Sequence, residues 1–105
     1  MTIYKELDGD AMKVTLEGRL DTVTAPELQQ ELKGSLDDVK ELVFDFTDLE
    51  YISSAGLRVL LMAQKSMNGK GTMKVTGVND LIAEIFEVTG FTELLTIEGP
   101  ETERD

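Results

Sequence analysis

The chain contains neither cysteine nor histidine. Without cysteine it cannot form disulfides, use a thiolate nucleophile or hold an iron–sulfur or zinc–sulfur centre on its own. Without histidine the Ser–His and Cys–His nucleophile pairs are excluded, and so are the usual zinc ligands. Most hydrolase chemistry is thereby ruled out. Basic residues are also scarce, 10 Lys and Arg against 21 Asp and Glu, for a formal charge of −11. That balance, with no basic cluster along the chain, opposes binding to nucleic acid or anionic lipid and favours a protein partner with a basic face. No apolar run approaches the ~20 residues of a membrane helix. The start Met1-Thr2-Ile3-Tyr4-Lys5 lacks the charged-then-apolar order of a signal peptide, so the expected location is the cytoplasm.

What is present suits one small globular domain. With 105 residues, 41% of them hydrophobic, the chain can build a single core. The domain is expected over residues 1–98, with an acidic, flexible tail at 99–105. Ile3 to Leu7 and Met12 to Glu17 read as a hairpin, because Met12, Val14 and Leu16 alternate with polar residues and Asp8-Gly9-Asp10 supplies the turn. Thr24-Ala25-Pro26-Glu27 has the form of a capping box and opens a helix from Ala25 to Leu36. A strand from Glu41 to Phe46, a helix from Ala55 to Met67 and a strand from Thr72 to Thr76 follow. Asn79 caps a third helix that Gly90 stops, and Leu94 to Ile97 forms a closing strand. The order β-β-α-β-α-β-α-β predicts an α/β fold with a mixed, largely parallel central sheet, whose functional groups lie at the carboxyl ends of its strands.

The segment Asp48-Leu49-Glu50-Tyr51-Ile52-Ser53-Ser54-Ala55-Gly56-Leu57 is the most informative. It places two hydroxyls at a strand-to-helix turn. Ser54 reads as the N-cap, accepting a bond from the backbone N–H of Gly56 or Leu57, and the unpaired amides of that first turn favour an added anion. A plain cap needs no function, but Ala55 and Gly56 leave the hydroxyl uncrowded, and a glycine in the first helical turn implies close access or tight packing. Along the same helix, Leu57, Leu60, Leu61 and Met67 form the face that meets the sheet. Ala55, Val59 and Met62 form a second apolar stripe, with Arg58 and Lys65 between the two. This second stripe is either a partner surface or packing under a neighbouring helix. Asp45, Asp48 and Glu50 raise a magnesium site or an aspartyl-phosphate acceptor as an alternative, but the acidic pair and distal lysine of a receiver-like site are missing, so they read as solvated loop charges.

On Gly18-Arg19-Leu20-Asp21, the serine segment and Val88-Thr89-Gly90-Phe91, the chain resembles a STAS domain of the bacterial anti-sigma factor antagonist family over nearly its whole length. The resemblance implies a STAS-like fold and a kinase substrate rather than an enzyme. It implies an antagonist that binds an anti-sigma factor, which is also a serine protein kinase, until a serine at the turn is phosphorylated. Matched by position, Ser54 is the phosphoacceptor, and Ser53, standing where many members carry aspartate, is its rival. Asp21, Ser53, Ala55, Gly56, Arg58, Val59 and Met62 are the implied partner-binding residues. A phosphatase would reset the switch, and no cofactor, metal, nucleic acid or membrane is implied. The alternative is a non-phosphorylated STAS subunit that binds a transporter or a signalling scaffold.

Overall fold

The computed structural model describes residues 1–98. The elements are β1 (Thr2–Asp8), β2 (Ala11–Leu20), α1 (Ala25–Leu32), β3 (Glu41–Ile52), α2 (Ser54–Met67), β4 (Thr72–Thr76), α3 (Asp80–Thr89), α4 (Phe91–Leu94) and β5 (Thr96–Glu98). The expected strand and helix order is present, with the short α4 added where the closing strand was expected to begin. Five strands form one sheet in chain order, β1 antiparallel to β2 and every later pair parallel. The expected tail at 99–105 lies outside the described residues.

A parallel sheet laid down in chain order needs a crossover at each step, and crossovers of one hand place their helices on one side. Burial agrees. Met12, Val14 and Leu16 on β2, Leu42, Phe44 and Phe46 on β3, and Met73 and Val75 on β4 are all buried, while the residues between them face the open side. That open face is polar. Lys13 pairs with Asp45 at 3.6 Å and Lys74 with Glu98 at 3.3 Å across neighbouring strands. Each pair is diagonal, since Lys13 faces Val43 and Lys74 faces Thr96 directly, and such opposite charges support the register without needing a second layer of helices.

Of the expected boundaries, the ends of the first helix and of the third strand move furthest. The first helix stops at Leu32 instead of Leu36, because Lys33 is extended and Gly34 takes a positive φ of 77°. Leu36 still reaches the core, at 6% exposure. Its expected capping box does not form: the Thr24 hydroxyl donates to the Arg19 carbonyl at 2.8 Å and gives the helix no side-chain cap. The third strand runs on to Ile52, through what the sequence suggested was loop. Leu49 and Ile52, each 1% exposed, draw it along β2 into the core. β3 absorbs extra residues there: Asp45 to Asp48 runs beside Thr15 to Glu17, and Leu49 to Tyr51 beside Gly18 to Arg19. Such bulges put two inward side chains three positions apart, which breaks the period of two that marks a strand in sequence.

Candidate functional site

The extension of β3 determines the geometry of the serine turn. Because the strand ends at Ile52, Ser53 is the extended residue that precedes the helix (φ −100°, ψ 177°), and Ser54 is the first helical residue. The cap expected of Ser54 therefore belongs to Ser53. The Ser53 side-chain oxygen accepts from the Gly56 N–H at 3.4 Å, and its carbonyl accepts from Leu57 N–H at 2.9 Å. The Ser53 N–H donates to the Leu20 carbonyl at 2.9 Å, which ties the turn to the end of β2. Ser54 is exposed, and among the described residues its hydroxyl has no hydrogen-bond partner.

The neighbours divide into floor and rim. Gly56 is buried, and a Cβ there would come within 2.7 Å of Leu20 Cγ and 2.8 Å of Ile52 Cγ1. Its small size lets the first turn of α2 sit on the ends of β2 and β3. Ala55 is half-buried and packs against the core. Arg58 is exposed one helical turn after Ser54, at the i+4 spacing that makes helix surface neighbours. α2 has no acidic residue in its first turn, so its unpaired amides and the positive end of the helix dipole favour an anion at Ser54.

The stripe expected on the far side of α2 splits in two. Val59 is 3% exposed and belongs to the core, whereas Met62 is 43% exposed. The difference arises because α1 lies beside α2. Val59, Met62 and Ala63 line one side of a groove of about 620 Å³, with Pro26, Gln29 and Leu32 of α1 on the other. Packing under a neighbouring helix accounts for Val59, so that residue is not part of an open partner surface.

Asp21 is held within its own loop. Its Oδ1 accepts from the Val23 N–H at 3.0 Å and the Thr24 N–H at 3.1 Å, and Oδ2 lies 3.8 Å from Arg19. The Thr24 N–H, the Val23 N–H, the Thr24 hydroxyl and the Arg19 charge hold its pKa below the ordinary 3.8, against a smaller opposing effect of desolvation. The Arg19 guanidinium also lies 4.5 Å from the centre of the Tyr51 ring. This pairing of Arg19 with Tyr51 is a feature that sequence reasoning missed, because only the bulged register sets the two residues opposite each other. Asp45 lies within β3 with its carboxylate engaged by Thr47 and Lys13, in no arrangement suited to a phosphoryl acceptor. Among the described residues no group of three or more acidic side chains is placed to hold a metal ion.

The chain is similar to known proteins in sequence and in fold. The family profile described as Mlab, STAS domain matches residues 3–96. An anti-sigma-B factor antagonist of Listeria monocytogenes is 33% identical over 103 residues, covering 94% of this chain and 89% of its own. An anti-sigma factor antagonist from Mycobacterium paratuberculosis shares the fold with a TM-score of 0.83 at 24% identity, over 91% of this chain and 83% of that one. SpoIIAA shares it with a TM-score of 0.73 in its unphosphorylated form (13% identity, 92% of this chain, 87% of that one). Its phosphorylated form, from Bacillus, gives the same TM-score of 0.73 (14% identity, 96% of this chain, 95% of that one).

Proposed function

The chain belongs to the STAS-domain family of anti-sigma factor antagonists, and from that premise we propose that it binds an anti-sigma factor while Ser54 is unmodified and is released when Ser54 is phosphorylated. The observation that carries this reading is the division of labour between the two serines. Ser53 caps α2, which leaves the Ser54 hydroxyl exposed and uncommitted. Such a hydroxyl can enter a kinase active site without unwinding the helix. The anti-sigma factor would itself be the serine kinase, supplying ATP, magnesium and the catalytic groups, so this chain is substrate and binding module. A phosphatase returns it to the binding state.

The switch is local. A phosphate adds about −1.5 to −2 charges at neutral pH, which the N-terminus of α2 tolerates in the free protein. In an interface matched to a neutral hydroxyl the same charge is desolvated and unpaired, and every ~1.4 kcal/mol of that mismatch costs tenfold in affinity. SpoIIAA keeps the fold that this chain shares in both its unphosphorylated and its phosphorylated form, which is compatible with such a switch. Exposed Arg58 and Met62, with Ser53 and Ala55 beside the hydroxyl, would form the contact around it, and Asp21 would shape the neighbouring loop. Isothermal titration of the anti-sigma factor tests the reading. Ser54→Ala should bind as wild type, and Ser54→Asp should bind at least about tenfold more weakly. Equal binding by both variants would remove Ser54 from the interface and favour an unphosphorylated scaffold subunit.

A further inference from the structure

The helix α3 carries a second apolar face that the described residues leave uncovered. Ile82 and Phe86, both 0% exposed, dock it on the sheet. Leu81, Ile85 and Val88 lie four and three residues apart and so share another side of the helix. Leu81 is 49% and Val88 74% exposed, with Ile85 partly buried between them. The short α4, which packs against α3, adds Leu94 at 53% exposed. An exposed leucine alone means little, but a stripe at helical spacing is what a partner helix would use.

Charge selects the partner. Asp80, Glu84, Glu87 and Glu93 lie on these two helices, and no Lys or Arg occurs between Lys74 and Arg104. Among the described residues none of the four carboxylates forms an ion pair. Glu84 neighbours both Leu81 and Val88 at i, i+3 and i, i+4 spacing, so the stripe is edged by negative charge. A second copy of this chain would bring like charge against it, and so would an anionic bilayer or a nucleic acid. A helix with an apolar stripe flanked by Lys or Arg is attracted by the edge and satisfied by the stripe. We propose that Leu81, Ile85 and Val88 of α3 form a docking face for a basic amphipathic helix of a partner protein. The face is carried by α3 and α4, not by the α2 turn that holds Ser54, and its docking does not depend on the phosphorylation state of Ser54.

The test uses the isotopically labelled full chain and a synthetic helical peptide with leucines on one face and lysines flanking them. Amide shifts on titration should cluster on α3 and α4. Leu81→Gln with Val88→Gln, both at exposed sites, should keep the thermal melt and lose at least about tenfold in affinity. Glu84→Gln with Glu87→Gln should bind more weakly and with less dependence on salt. Ser54→Asp should bind the peptide as wild type does, so failure of the switch reading would leave this result standing. Absence of binding, shifts centred on the α1–α2 groove, or undiminished binding by the Leu81/Val88 variant would overturn the proposal. Concentration-dependent dimerisation that this variant abolishes would do so too, because it would assign the face to a second copy.

Discussion

Ser53 and Ser54 carry the same side chain one residue apart, and the backbone gives them different tasks. Ser53 is extended and points its oxygen back at the first turn, whereas Ser54 already has helical geometry and points outward. Ser53→Ala should therefore cost about 1 kcal/mol of stability by chemical denaturation. Ser54→Ala should stay within about 0.5 kcal/mol of wild type. Equal losses would mean that the cap is not where the geometry places it. Asp45 makes a different residue-scale case. Burial raises its pKa, but the bonds from the Thr47 hydroxyl and N–H and the Lys13 charge outweigh that and leave it below the ordinary 3.8. A carboxyl whose pKa is lower when folded contributes stability that is present above 3.8 and is lost as pH falls through the lower folded value. Melts taken across that acid range should show a shallower pH slope for Asp45→Asn than for wild type. An unchanged slope would show that the Thr47 and Lys13 contacts do not favour the ionised form.

At the scale of elements, α2 is wedged between the sheet and α1, and this decides which of its residues can face a partner. Val59→Asp places a charge at a position 3% exposed and should cost about 3 kcal/mol or more. Met62→Lys, at 43% exposure, should leave the melting temperature nearly unchanged while weakening partner binding. If Val59→Asp were as stable as wild type, the packing of α1 on α2 would be wrong. The caps of α3 were legible in the sequence: Asn79 accepts from Ile82 N–H at 2.8 Å, and Gly90 ends the helix with a φ of 83°. The alternation of β2 and the limits of β4 were legible for the same reason, since period and turn residues act over a few positions. The upper half of β3 was not. Its bulges hide the strand period, and its acidic residues read as loop until Leu49 and Ile52 are seen in the core. One error in a strand boundary then moved the cap from Ser53 to Ser54. Val59 was ambiguous because a helix pattern shows that a face is apolar without showing which neighbour covers it.

At the scale of the whole molecule, a one-sided sheet holds the described helices on one face and brings the ends of β2 and β3 beneath the start of α2. The tie from Ser53 N–H to the Leu20 carbonyl and the seat of Gly56 on Leu20 and Ile52 hold that corner together. A corner held in this way suits the proposed switch, which works by charge rather than by movement, and a phosphate would add still more negative charge to a chain of formal charge −11. The proposed switch depends on one group, the exposed Ser54 hydroxyl. The most direct measurement is peptide mapping by tandem mass spectrometry after treatment with the anti-sigma factor kinase proposed as the chain's partner. A single phosphate should be found on Ser54, with Ser53→Ala still modified and Ser54→Ala left unmodified. A phosphate mapped to Ser53, or a Ser54→Ala chain modified as fast as wild type, would contradict it.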